Sequence, residues 1–319
     1  GDITLQRFLN VDCWCSSPFR KSRYPRLDPP EDYEDCTLNF HGSLHKSSIR
    51  EKTGLSYNWY VGGYFKKKEQ YYELWEKHGK PIEHFIHEED YSPKRWERYV
   101  EALSPYYYPI PTLGHSIFTT LSDSMGLSRI AYYMRKDPAF IHELFGEYAK
   151  VNIEIIKRLH EAGVEVCFYF DDLGQKDRGL LSLPNFRKFL LPQYKKMYDA
   201  ARNRGMFIIQ HSCGNILEFL PDMIDAGLSC IQSLEPASGI NLAEVKEKFG
   251  DKIALMGGMD SSRILNFGTP QEIEEHVKWS IESASPGGGY FAGPAHDILD
   301  VPWSNMMVFR DALEKYRKL

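Results

Sequence analysis

From position 106 onward the chain alternates between short apolar runs and longer stretches in which apolar residues recur every three or four positions. The runs have the pattern of buried strands, and the longer stretches that of amphipathic helices. In order, the pattern predicts a strand over 106–110, a glycine-punctuated stretch over 114–125, a long helix over 138–162 and a strand over 164–170. Helix signals then fill 184–204, followed by a strand over 206–211, a helix over 216–226 and a strand over 228–233. A helix over 242–249, a strand over 253–256, a helix over 270–283, a strand over 289–292 and a helix over 302–315 complete the series. The punctuation agrees with the periodicity. Asp137-Pro138 and Thr269-Pro270 each place a capping side chain before a proline in the first turn. Gly163, Gly205, Gly227 and Gly250 stand where helices should stop.

Five strand–helix units are clear after Gly163, and helical crossovers of this kind demand a parallel sheet with right-handed connections. Two or three strands from the first half bring the count to about eight, so the expected fold is α/β, a closed (β/α)8 TIM barrel. An open doubly wound sheet is the alternative, but no Gly-x-Gly-x-x-Gly follows an early strand. The first third is less regular. Pro25, Pro29, Pro30 and the acidic run 31–35 predict an irregular arm, with strands over 37–41 and 56–61 and short helices over 69–78 and 93–102. The expected organisation is therefore an arm with the first barrel elements over 1–100, partly covering the barrel mouth. The main part of a single barrel domain spans 101–319.

Composition narrows the function. The 319 residues carry a net charge of −5 with no long basic block, so no nucleic-acid partner is expected. No apolar run reaches the ~18 residues of a membrane span, and the first residues lack a signal-peptide pattern. No membrane partner and a cytoplasmic location are the expectations. The six cysteines are scattered and read as thiols. His41, His45, His78, His84 and His87 lie in polar segments and receive no role.

In a barrel, residues just after each strand share the face that carries function. Those positions hold Asp171 and Asp172, then His211 and Cys213, then Ser233 and Glu235, then Met259 and Asp260, and finally His296 and Asp297. Acidic residues there are often helix caps. Caps do not explain His211, Cys213 and His296 together. Three nitrogen and sulfur donors with a fourth position open match a catalytic Zn²⁺ site. Glu235 or Asp260 would replace one ligand or support the ligands from outside.

At these residues the sequence resembles the uroporphyrinogen decarboxylase superfamily. The resemblance runs over about 137–316. It rests on Asp137-Pro138, Asp171-Asp172-Leu173-Gly174, Leu183-Pro184 through Leu191-Pro192, and His211-Ser212-Cys213-Gly214. Leu234-Glu235-Pro236, Gly257-Gly258-Met259-Asp260, Gly287-Gly288-Gly289-Tyr290, Ala295-His296-Asp297-Ile298 and Val301-Pro302 through Asn305 add to it. The resemblance implies a (β/α)8 barrel. Decarboxylases of the superfamily carry an arginine-rich Met-Arg-Gln-Ala-Gly-Arg-Tyr stretch that meets substrate carboxylates. Here Arg20, Arg23 and Arg26 stand in a different context. The methyltransferase branch carries His-x-Cys for zinc, as this chain does, and usually a late cysteine as third ligand, where this chain has His296.

The resemblance therefore implies a zinc-dependent methyltransferase that exchanges methyl groups with a corrinoid carried by a partner protein. Its small-molecule reactant is a methyl donor or a thiol acceptor: a thiol such as coenzyme M, a methylated amine, a methanol-type donor or an aryl methyl ether. The reading leans to a demethylating component of O-demethylase type. His211, Cys213 and His296 are the expected metal ligands. Asp172, Glu235 and Asp260 are expected in catalysis, orienting substrate or ligands. Asp171, Ser233, Met259 and Tyr290 are expected to contact substrate. A decarboxylase acting without metal on a tetrapyrrole or another carboxylate is the alternative.

Overall fold

The structure, a computed structural model, describes residues 8–15, 27–49, 54, 56–86, 90–298 and 300–317. Pro25, Arg20, Arg23, Arg26 and His87 lie outside the described residues. The strands are β1 (Cys13–Cys15), β2 (Thr37–Leu38), β3 (Ser43–Ile49), β4 (Ser56–Gly63) and β5 (Tyr108–Ile110), then β6 (Val166–Phe170), β7 (Phe207–His211), β8 (Cys230–Ser233), β9 (Ala254–Met259) and β10 (Tyr290–Pro294).

Strands β6 to β10 form one parallel sheet in sequence order, with a helix between each consecutive pair. β1 pairs in parallel with β5, and a parallel bridge between Thr112 and Phe168 carries the array from β5 into β6. Seven parallel strands thus follow one another among the described residues, in the order of a TIM-barrel-like (β/α)8 fold. Both faces of this sheet are apolar. Phe168, Ile209, Cys230 and Ile110 meet inside, with Cys13, Cys15 and Met256 packed against them. Cys167, Tyr169, Ile208, Ile231 and Leu255 point outward into the helical layer. Burial on two faces is why these strands read as continuous apolar runs rather than as alternation.

The helices form where the caps and periodicity place them. In helix Pro138–Glu161, Asp137 accepts a hydrogen bond from the Phe140 amide (3.2 Å), and Pro138 occupies the first turn. Ile141, Leu144, Phe145, Tyr148, Val151, Ile155 and Leu159 line its buried face at helical spacing. Helix Pro270–Ala284 starts with a capping box between Thr269 and Glu272. The stretch expected as one helix over 184–204 is interrupted by a π turn, Phe186–Leu190, before helix Leu191–Arg202. Pro192 lacks an amide and its ring crowds the preceding turn, which relaxes by bonding Leu191 N to Phe186 O.

The N-terminal strands differ from expectation. The strands read at 37–41 and 56–61 do not enter the barrel. They belong, with β3, to a separate antiparallel sheet in the order β2-β3-β4. The barrel strand before β5 is β1 instead. This small sheet is fastened to helix Phe118–Met125: Tyr60 OH donates to the Asp123 carbonyl (2.9 Å), and Phe65 N to the Ser124 carbonyl (3.0 Å).

Candidate metal centre

His211 is the last residue of β7, and its register partners on the neighbouring strands are Phe170 and Gln232. Cys213 follows in the loop, and His296 stands two residues beyond β10. The three donors meet. Cys213 Sγ lies 3.2 Å from His211 Nε2 and 3.1 Å from His296 Nε2, and all three atoms fall within 4.8 Å of one another. A tetrahedral zinc with ordinary bond lengths separates its nitrogen and sulfur ligands by about 3.6 Å. The three atoms are therefore spaced as ligands of one ion, and their softness suits zinc.

The surroundings fix which atoms face inward. His211 Nδ1 is hydrogen-bonded to Gln232 Oε1. The Gln232 amide donates through Nε2 to the Ala295 carbonyl (3.4 Å), which turns its oxygen toward the imidazole. Nδ1 thus carries the proton and Nε2 offers its lone pair to the centre, the usual outer support of a ligating histidine. Asp172 Oδ1 accepts from the Cys213 amide (2.8 Å) and lies 3.4 Å from His211 Nε2. Glu235 Oε2 accepts from the Gly214 amide (3.0 Å) and from Ser238 Oγ (3.1 Å), so it shapes the loop that carries Cys213.

Two loops cross here with no room for side chains. A Cβ on Gly174 would lie 2.7 Å from the Cys213 carbonyl oxygen, and Gly214, at φ +75°, packs back against Gly174. At the end of β8, Ser233 and Leu234 adopt φ of 105° and 56°. That is left-handed backbone, costly for residues with a Cβ, and it aims Glu235 at the loop.

Charge follows geometry. Burial alone would lower the His211 imidazole, but hydrogen bonds to Asp172 and Gln232 and the charges of Asp172 and Asp297 raise it. Burial raises the Asp172 carboxyl, yet its bonds to His211 and Cys213 prevail and draw it down to about 2. Burial, reinforced by Asp172, Glu235 and Asp297, pushes the Cys213 thiol up. A thiol so placed becomes a thiolate when a cation replaces its proton.

The other strand-end residues expected in catalysis or substrate contact have structural duties. Asp171 is buried, and its carboxylate takes six hydrogen bonds: from the amides of Ile117, Phe118 and Thr119, from Thr119 Oγ1, and from the hydroxyls of Tyr169 and Tyr194. It anchors the start of helix Phe118–Met125 and has no lone pair to spare for substrate. Asp260 caps its own turn through Ser262 and Arg263 and is not in the donor cluster. Met259 is packed with Leu265, Ile273 and Phe309. Ser233 is fully buried, and Tyr290 donates to the Gly257 carbonyl (2.8 Å), tying β10 to β9.

Sequence reasoning missed Gln232, Phe170 and Asp123. Gln232 was legible as the inward-facing residue beside His211 in the next strand. The Phe170 ring, 43% exposed, stands 5.5 Å from the His211 imidazole. Asp123 feels both Asp171 and Asp172 across the loop. Its helix has no strand-end position to flag it.

A family model described as Uroporphyrinogen decarboxylase (URO-D) matches residues 108–316, which hold β5 to β10 and the whole donor cluster. The chain belongs to the uroporphyrinogen decarboxylase family. A uroporphyrinogen decarboxylase of Aliivibrio salmonicida is 30% identical over 203 residues, covering 61% of this chain and 54% of the relative. One of Pseudoalteromonas atlantica is 28% identical over 200 residues, covering 60% and 53%. The chain thus spans about half the length of these curated relatives. Among solved structures, a methyltransferase from Methanosarcina mazei superposes with a TM-score of 0.63 at 19% identity, covering 85% of this chain and 76% of that one. At that identity the likeness is one of fold. No helix among the described residues is long and apolar enough to cross a membrane.

Proposed function

We propose that this family member is a zinc-dependent methyltransferase that moves a methyl group between a small methyl donor or thiol acceptor and a corrinoid carried by a partner protein. The observation that carries the reading is the convergence of His211 Nε2, Cys213 Sγ and His296 Nε2, with His211 already turned by Gln232. Decarboxylation of a polycarboxylate needs cations around the substrate, not a nitrogen–sulfur cluster. The Methanosarcina methyltransferase of like fold supports the same reading.

His211, Cys213 and His296 would hold the ion. A zinc so held keeps a thiol as thiolate near neutral pH, or draws electron density from the ether oxygen of a methyl donor. The rest is done by the chain. Gln232 holds the His211 proton on Nδ1. Asp172 fixes the Cys213 amide and holds its part-exposed carboxylate 3.4 Å from His211 Nε2. Glu235 holds the turn after Cys213. Phe170 sets an apolar ring 5.5 Å from the His211 imidazole. The corrinoid partner would dock over this strand-end face.

Metal analysis with a methyl-transfer assay tests the proposal. The expected result is about one zinc per chain, bound by three protein donors with a fourth position open. Zinc and methyl transfer should both disappear in the double variant His211→Ala, Cys213→Ala. Zinc-free protein that still transfers methyl groups, or that turns over a porphyrinogen, would overturn it in favour of the decarboxylase reading.

A further inference from the structure

The charges that bear on the Cys213 thiol are all negative: Asp172, Glu235 and Asp297. Asp123 adds a fourth carboxyl beside Asp172. Elsewhere in the molecule acids such as Asp35, Asp137, Glu143 and Asp222 sit within ion-pair distance of a lysine or arginine. Among the described residues, no lysine or arginine pairs with Asp123, Asp172, Glu235 or Asp297, and the ion-pair partner of Asp172 is His211. A divalent ion with two neutral imidazoles and one thiolate keeps a net charge of only about +1. The carboxylates outweigh it.

Two part-exposed side chains stand against the His211 imidazole. Asp172 uses Oδ1 for the Cys213 amide, lies 3.4 Å from His211 Nε2, and keeps its side chain 41% exposed. Phe170 offers its ring next to His211, and its backbone is fixed by a hydrogen bond from Ser116 Oγ to its carbonyl (2.6 Å). A part-exposed carboxylate and a part-exposed aromatic ring set against the same imidazole are the pairing that recognises a small organic cation. A sulfonate or carboxylate at the same place would meet negative charge with no compensating donor.

We propose that the reactant bound at this centre carries a positive charge a short distance from its metal-binding sulfur or oxygen, seated between Asp172 and Phe170, and that anionic reactants of the same shape are rejected. This rests on the zinc-centred reading above. It sets the chemical class of reactant within it: an ammonium-bearing thiol or ether rather than a sulfonated or carboxylated one.

The test uses the full chain loaded with Co²⁺ in place of zinc and three thiols of matched length: 2-aminoethanethiol, 2-mercaptoethanol and 2-mercaptoethanesulfonate, titrated at pH 7. The thiolate-to-cobalt absorption reports binding without any turnover. The expected order is cationic, then neutral, then anionic, with a span of about tenfold or more, as a change of two unit charges near a partly exposed carboxylate gives. Asp172→Asn, which keeps the oxygen that accepts from Cys213, should compress the span. Asp123→Asn should compress it less, with cobalt uptake unchanged, and Phe170→Leu should weaken the ammonium thiol alone. Sulfonate binding as tight as ammonium binding overturns the inference and leaves the zinc-centred reading standing. No thiol band with any of the three overturns the inference, and no metal taken up by His211, Cys213 and His296 overturns both.

Discussion

Single side chains decide what this centre can bind. His211 has one nitrogen to offer because Gln232 holds the other, and Cys213 has its amide fixed by Asp172. Asp123 shows the energetic side of the same crowding. Burial, then the charges of Asp172 and Asp171, raise its carboxyl from 3.8 to about 6. The folded protein therefore holds this proton more tightly than the unfolded chain does. The group's contribution to stability falls as pH rises from about 4 through 6, and above that window the ionised carboxylate is a cost. The whole shift is worth about 3 kcal/mol, which partial exposure reduces to about 1–2 kcal/mol. Asp123→Asn should raise the unfolding free energy by that amount at pH 7.5 and leave it nearly unchanged at pH 4. Urea titrations at the two pH values check this, and an equal effect at both would show that charge is not the cause.

Elements hold these side chains in place through contacts that leave no slack. Gly174, after β6, and Gly214, after β7, touch backbone to backbone, and Asn215 N donates to the Gln175 carbonyl (2.8 Å). Gly174→Ala would push a methyl into the Cys213 carbonyl and displace the sulfur from the two imidazoles. Zinc affinity should fall tenfold or more in a competitive chelator titration, with secondary structure retained. Gly146→Ala, in a helix with open space around the added carbon, should leave affinity unchanged. A Gly174→Ala variant with native affinity would mean that the loop crossing does not set the ligand geometry. The strands and helices that build this crossing were legible, because caps and periodicity act locally: Asp137, Thr269 and Gly163 mark their ends in the sequence. β1 was not. Cys13-Trp14-Cys15 is three residues long and has no periodicity to report, and its strand character comes from pairing with β5, more than ninety residues away. The strands near 37–41 and 56–61 were legible as strands but not as members of a separate sheet, since a strand's sequence does not name its partner. Asp171 and Asp172 are adjacent and chemically identical. Only the fold shows that one is spent on six internal donors and the other stands against Cys213 and His211.

At the scale of the whole molecule, the donor cluster reports on the curvature of the sheet. β7 and β10 are separated by β8 and β9. Three inter-strand steps across a flat sheet span about 14 Å, and side chains on one flat face stay parallel. The Nε2 atoms of His211 and His296 nevertheless lie within 4.8 Å of each other. The sheet must therefore curl until inward-pointing side chains converge, as the strands of a barrel do. A metal at this point ties the loop beyond β10 to the end of β7, so it binds the curled state and has little affinity for a chain in which the two histidines are apart. For the proposed zinc, linkage then makes thermal stability depend on the ion. At a free concentration 100-fold above the dissociation constant the gain is about 2.7 kcal/mol. In a chain of this size that raises the unfolding midpoint by roughly 4 °C. Scanning calorimetry of the apo and zinc-loaded protein should show this rise, an excess of chelator should remove it, and His296→Ala should lose most of it, because that side chain alone brings the far strand into the cluster. A midpoint that does not move while one zinc binds per chain would mean that the ion sits where the unfolded chain offers it as good a home, and that the curl of the sheet is held without it.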